Sequence, residues 1–256
     1  MEAEIDTSRL KLVRLLVAAE GHRDLQWYHR VWSNEQATKW SRSGPKKTIA
    51  QSKIWMAGVV PSPGVENSKT RIAYAVLVPR PMDPNRPTTM DDENATDPTG
   101  DSLEDDWDVT GIITLLPESP PQSETARSTC SSAKQNLTLE LGYLFLPSHW
   151  GLGYATESTR ALLDEFKRSI SCASPAAAVE LVARVHVDNL PSIRVVEKLG
   201  FQEVTRSEDE ELVSLDGKER RNIAVHFKKA IQFRLTSDFC RHDEPVPIES
   251  IASRQV

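Results

Sequence analysis

Apolar and polar positions change period along this chain, and each change marks an element. From Arg9 to Val17, basic residues alternate with Leu12 and other aliphatics, which predicts a strand, although the run is too apolar for its period to be read. Leu25, Tyr28, Trp32 and Gln36 recur at three- and four-residue spacing and predict a helix over Arg23 to Trp40. Thr48 to Val60 reads as a second helix, stopped by Pro61. RIAYAVLV (Arg71 to Val78, closed by Pro79) and DVTGIITLL (Asp108 to Leu116) predict strands, as does Leu137 to Leu146. Ala155 to Ile170 predicts a helix with Leu162, Leu163 and Phe166 on one face. LVARVHV (Leu181 to Val187) is a strand, and Leu190 to Leu199 a short helix ended by Gly200. Phe201 to Arg206 and Asn222 to Lys228 predict a final hairpin, with Asp216-Gly217 as a turn signal between them. Two early helices, then strand, helix, strand, helix and two strands, predict an α/β (α+β) fold. Its sheet is mixed and mostly antiparallel, with βαβ units near the middle.

Two stretches break the pattern. Arg80 to Asp106 is rich in Pro, Asp, Asn and Thr, and Pro117 to Asn136 is of low complexity. Each falls between strands, so a single domain over residues 1–235 is expected, with mobile insertions at about 80–107 and 117–136 and a poorly ordered polar tail over 236–256. The acidic residues near Asp91 and Asp105 read either as a lure for a cationic substrate or as a solvated loop.

Charge and composition narrow the function. The formal net charge of −6, with 31 Lys and Arg against 37 Asp and Glu, argues against a nucleic-acid partner. No apolar run approaches the roughly 18 residues of a membrane span, and the acidic start carries no signal-peptide pattern. The three cysteines, Cys130, Cys172 and Cys240, form neither a metal-ligand spacing nor a disulfide framework. No metal is expected, and the cytoplasm is the expected compartment, with the nucleus left open.

The candidate chemistry lies in GYLFLPSHWGLGYATESTRALLDEF, Gly142 to Phe166. An apolar strand, a proline, a loop with Gly151 and Gly153, and a helix start follow one another. That order points backbone N–H groups at a common anion, here the N–H groups of Leu152 through Thr156. A glycine-rich turn without a ligand has the same local pattern. There is no GxxxxGK[ST], and the GxGxxG dinucleotide pattern fails at Thr156.

A second motif follows in VDNLPSIRVVEKLGF, Val187 to Phe201. With GLGYATE and NLPSIRVVEKLGF at this separation, the chain resembles the GNAT superfamily of acyl-CoA N-acyltransferases, nearest to the branch of ribosomal-protein-alanine and small-amine N-acetyltransferases. DLQWYHRVWSNEQATKW, Asp24 to Trp40, is similar to that branch's first helix, less specifically. The resemblance covers most of Leu10 to Lys229. It implies a central sheet splayed in a V and flanked by helices, acetyl-CoA as co-substrate, and transfer of acetyl to a primary amine, either a protein N-terminus or a small molecule. The family's loop Q/R-x-x-G-x-G/A falls on Trp150, Gly151, Leu152, Gly153, Tyr154 and Ala155, with Trp150 in place of Gln or Arg. Phe145 and Leu146 would pair with the pantetheine arm like an added strand, Asn189 would bond the arm, and Ser192 would lie near the leaving sulfur.

Attack of an amine on a thioester needs a base, an oxyanion donor and a proton for the thiolate. Glu140 is the candidate base, or else an ordinary surface glutamate. Ser192 is the candidate acid, or a helix cap, because Val196 stands where many of the family carry a tyrosine. Tyr143 either lines the acceptor pocket or packs in the core. His186 reads as a satisfied cleft histidine rather than a base, and His149 as a surface residue. Trp27, Trp32, Trp40 and Trp55 fall in the two early helices, where they pack or form an aromatic acceptor pocket. Transfer of a longer acyl chain, and a CoA-binding sensor or interaction protein without turnover, stay open beside acetyl transfer. So do a monomer and a homodimer.

Overall fold

A computed structural model describes residues 1–61, 71–80, 106–118, 137–173, 179–215 and 217–231. Most of both expected insertions, Asp216 of the expected turn, and the tail lie outside the described residues. The elements, in chain order, are β1 (Glu4–Asp6), β2 (Lys11–Arg14), α1 (Arg23–Trp32), α2 (Ile49–Ala57), β3 (Ile72–Pro79), β4 (Trp107–Pro117), β5 (Leu137–Phe145), α3 (Tyr154–Ala173), β6 (Val179–His186), α4 (Leu190–Lys198), β7 (Gln202–Leu215) and β8 (Lys218–Ile231).

The described strands form one eight-stranded sheet in the order β1-β2-β3-β4-β5-β6-β8-β7. Every neighbouring pair is antiparallel except β5 and β6, which are parallel and joined through α3. A parallel pair needs such a crossover, whereas antiparallel neighbours need only turns. β3 is buried along both faces, which explains its unbroken apolar run. Its alternation sorts two cores: Ile72, Tyr74 and Val76 join Leu162, Phe166 and Val196 beneath α3 and α4, while Ala73, Ala75 and Leu77 join Leu25, Trp27 and Tyr28 beneath α1. The small alanines lie on the face that receives the largest aromatic side chains.

Several boundaries differ from the sequence expectation. The first helix ends at Ser33, not Trp40. Asn34 Oδ1 accepts the Ala37 N–H at 2.9 Å, and this local turn competes with helix continuation. Trp40 therefore stands in a loop. The second helix begins with a capping box between Thr48 and Gln51 and stops at Gly58, ahead of Pro61. The expected first strand, Arg9 to Val17, is the shorter β2, and an unexpected β1 ahead of it pairs with it as a hairpin; three residues carry too little periodic signal to be read. The final hairpin is far longer than expected, 14 residues in each strand. Charged side chains hide its period, and two register shifts, at Glu203/Thr205 and Asp209/Leu212, break its alternation.

Candidate active site

The parallel ladder of β5 and β6 runs only from Leu137↔Val179 to Glu140↔Val182. Beyond it, β5 continues to Phe145 paired with β4, and β6 to His186 paired with β8, so the two strands part in a V. The Leu146 N–H bonds the Thr110 C=O at 2.8 Å, and the Glu118 N–H bonds the Thr138 C=O at 3.0 Å. Even-numbered residues of β5 thus turn their backbone toward β4, and Tyr143 and Phe145 turn theirs into the V, where no strand among the described residues meets them. Leu146 has both groups engaged, its C=O by the His149 N–H at 3.0 Å. Phe145 is the better placed of the two residues expected to pair with a ligand arm. Its C=O accepts the Trp150 indole N–H at 2.7 Å. The ring of Phe145 fills the space beside Gly111, where an added Cβ would lie 2.5 Å from it.

At the mouth of the V, a 3₁₀ turn over Pro147–His149 leads into the loop before α3. Gly151 and Gly153 take φ of 76° and 83°, in the left-handed region. A Cβ on Gly151 would meet nothing within 4 Å, and one on Gly153 only Arg9, at 3.6 Å. The N–H groups of Thr156 and Glu157 close the first turn on the Gly153 C=O at 3.1 and 3.0 Å. The five N–H groups from Gly151 to Ala155 find no backbone acceptor among the described residues. Open space around unspent donors at the start of a 20-residue helix is what an anion requires. Trp150 and Leu152 are exposed beside it. An open groove of about 660 Å³ adjoins the loop, lined among others by Arg9, Gly153, Thr156, Arg160 and Lys198.

The two predicted polar residues of the second motif sit at the start of α4. Asn189 Oδ1 accepts the Ser192 N–H at 3.4 Å and caps the helix. Tyr143 reaches across the V and donates its hydroxyl to the Ser192 C=O at 3.1 Å. Burial pushes the Tyr143 pKa up to about 12, so it stays a donor at neutral pH. Val196 is fully buried in the core beneath α3 and α4.

On the opposite face, the side of α1 and α2, lies a cavity of about 470 Å³ lined by Trp40, Glu140, Arg184, His186, Leu215 and Asn222, among others. Glu140 stands at the apex of the V. Both its oxygens take bonds from Arg184, Nε at 3.0 Å and Nη2 on the other oxygen. That pairing raises the Arg184 pKa against its partial burial. His186 is satisfied: its Nδ1 accepts the Asp188 N–H at 3.1 Å, which leaves the proton on Nε2, 3.2 Å from the Arg221 C=O. Trp40 stacks on His186 with ring centroids 5.2 Å apart, while Trp32 packs between Tyr28 and Trp55. One of the four early tryptophans thus lines a cavity and the others pack around the helices. Arg184, and Trp40 as a cavity wall, carried no local signal: their roles arise where separate elements meet. His149 bonds Ser148 at 2.9 Å near the surface.

The family model described as "Acetyltransferase (GNAT) domain" matches residues 14–202. The uncharacterized protein YkkB of Bacillus subtilis (strain 168) is 40% identical over 63 residues, a quarter of this chain, and the match spans one third of YkkB's length. Among solved structures, a spermidine N-acetyltransferase from Vibrio cholerae in complex with CoA and spermine matches with a TM-score of 0.52 at 13% identity, covering 88% of this chain and 96% of that one. RimL, a ribosomal L7/L12 alpha-N-protein acetyltransferase in complex with coenzyme A, matches with a TM-score of 0.53 at 14% identity, covering 89% and 98%. A GCN5-related N-acetyltransferase from Brucella melitensis matches with a TM-score of 0.53 at 17% identity, covering 90% and 79%. At such identities these structures speak for the fold, and with a family match across most of its length the chain belongs to the GNAT family of acetyltransferases.

Proposed function

We propose that this chain moves an acetyl group from acetyl-CoA to a primary amine by direct attack. The observation that carries the reading is the row of unspent N–H donors from Gly151 to Ala155 at the mouth of a V whose inner edge on β5, at Tyr143 and Phe145, has no strand partner among the described residues. CoA in the Vibrio cholerae and RimL structures, and spermine in the former, support a CoA thioester as donor and an amine as acceptor.

In this reading the loop N–H groups take the diphosphate, with backbone doing what the missing Gln or Arg at Trp150 would do. The backbone groups of Tyr143 and Phe145 receive the extended arm as an added strand. Asn189 spends Oδ1 on its helix cap, so its amide hydrogens serve the arm. The acceptor enters from the cavity at Trp40 and Glu140. Glu140 takes the amine proton through intervening water, giving up one of its bonds to Arg184 to do so, and a β5 backbone N–H that faces the V steadies the oxyanion. A C–N bond forms, the C–S bond breaks, and Ser192 passes its hydroxyl proton to the thiolate, regaining one from solvent as Glu140 returns the amine proton to solvent, while Tyr143 braces Ser192 through its C=O.

Release of free thiol from acetyl-CoA across a panel of amines tests the reading. Turnover with at least one amine is expected. CoA binding without release on any acceptor would favour a sensor, the reading that the buried, hydroxyl-free Val196 supports. Glu140→Gln is expected to lower kcat about 100-fold with CoA affinity kept. A near-normal rate would return Glu140 to the role of a partner for Arg184.

A further inference from the structure

The turn between β1 and β2 is clasped to the phosphate-type loop by bonds spanning nearly 150 residues of sequence. The Arg9 guanidinium bonds Glu157 through Nε at 2.8 Å and Nη2 at 2.5 Å, and donates from Nη1 to the Leu152 C=O at 3.1 Å. It also lies 4.9 Å from the centre of the Tyr154 ring. Glu157 accepts further bonds from Thr7 Oγ1 at 2.7 Å and Ser8 Oγ at 3.2 Å. One cation therefore touches the middle of the loop and, through Glu157, the first turn of α3.

The contact with Leu152 has a directional consequence. No peptide of the described chain is cis, and in a trans peptide the C=O and the following N–H point in opposite directions. Pinning the Leu152 C=O on Arg9 turns the Gly153 N–H away from the β1–β2 turn and holds it there. Gly151 and Gly153, both with positive φ, are the residues whose peptides would otherwise turn most freely. The Arg9 charge is matched by Glu157, so it adds little net field at the loop. What it supplies is orientation.

We infer that Arg9 is a positioning residue for the donor's diphosphate: held by Glu157, it fixes the Leu152–Gly153 peptide so that the row of N–H groups faces one anion. The inference rests on the acetyl-CoA reading above and assigns part of that site to the N-terminal hairpin, whose own sequence carries no phosphate motif.

Calorimetric titration of the whole chain with CoA and with 3′-dephospho-CoA tests it, since both keep the diphosphate. Arg9→Ala is expected to weaken both ligands equally, by about 10- to 100-fold, the loss of one or two well-aimed bonds to a charged group. The melting temperature of the ligand-free protein should change little, because half-exposed ion pairs add little stability. Arg9→Lys keeps the charge but cannot span Glu157 and the Leu152 carbonyl together, so it should recover little of the loss. Full recovery by lysine would overturn the inference, as would unchanged affinity in Arg9→Ala. A loss confined to CoA would also overturn it, making Arg9 a contact for the 3′-phosphate in the adjoining groove. If the unaltered chain binds neither ligand, the acetyl-CoA reading itself falls and takes the inference with it.

Discussion

Gly153 shows how one residue carries both conformation and access. Its φ of 83° disfavours any side chain by about 1–2 kcal/mol, and an added Cβ would meet only the Arg9 guanidinium, at 3.6 Å. Gly153→Val is expected to abolish measurable CoA binding by calorimetry, because a β-branched group strains the turn and crowds the Arg9 guanidinium that holds it. Unchanged affinity would move the phosphate site elsewhere. Trp150 stands where the family pattern has Gln or Arg, and no phosphate contact was expected of its side chain. It instead bonds the Phe145 C=O, a carbonyl that faces the V. In the acetyl-CoA reading, the donor arm must share or displace that contact. His186, two positions before Asp188, reads in sequence as a satisfied histidine rather than a base, and both its ring nitrogens have backbone partners.

At the scale of elements, the clasp between the first hairpin and α3 makes a pH prediction. Burial alone would raise the Glu157 pKa, but the bonds from Thr7 and Arg9 together outweigh it and hold it below its ordinary value near 4.5. A carboxyl with a lower pKa folded than unfolded contributes stability that is complete above the ordinary value and lost as pH falls through the folded one. The melting temperature of the unaltered chain should therefore exceed that of Glu157→Gln at pH 6, with the gap closing below about pH 4.5. A gap that stays constant into acid would mean that the charge on Glu157 contributes nothing. The β7–β8 hairpin is the other element with consequences. It extends past the end of β6, and its Leu215 and Asn222 wall the cavity at Trp40. In the acetyl-transfer reading, an acceptor's shape would be read partly by this arm, whose charged sequence reads as an ordinary exposed hairpin.

At the scale of the whole molecule, one sheet carries two cores, and the V between β5 and β6 divides its halves. A ligand that bonds β5, the loop and α4 together ties those halves and binds only the folded state. CoA at about 100 times its Kd should stabilise the protein by about 2.7 kcal/mol, read as a rise in melting temperature that pantetheine alone, lacking the diphosphate, does not match. Equal shifts from both would argue that the loop takes no part. Order and type of the central elements were legible in the sequence, because buried strands such as β3 and amphipathic helices such as α3 write their periods locally. The glycines of the loop were legible for the same reason, since each answers a local backbone demand, whereas the helix cap, expected of Ser192, is made by Asn189. The length of the last hairpin and the end of α1 were not, since charged ribbons and side-chain turns leave no period. Nothing local could reveal that Arg9 braces Leu152, that Arg184 holds Glu140, or that Trp40 stacks on His186. These contacts join residues far apart in the chain, and their geometry exists only once the strands have parted and the sheet has brought its faces together.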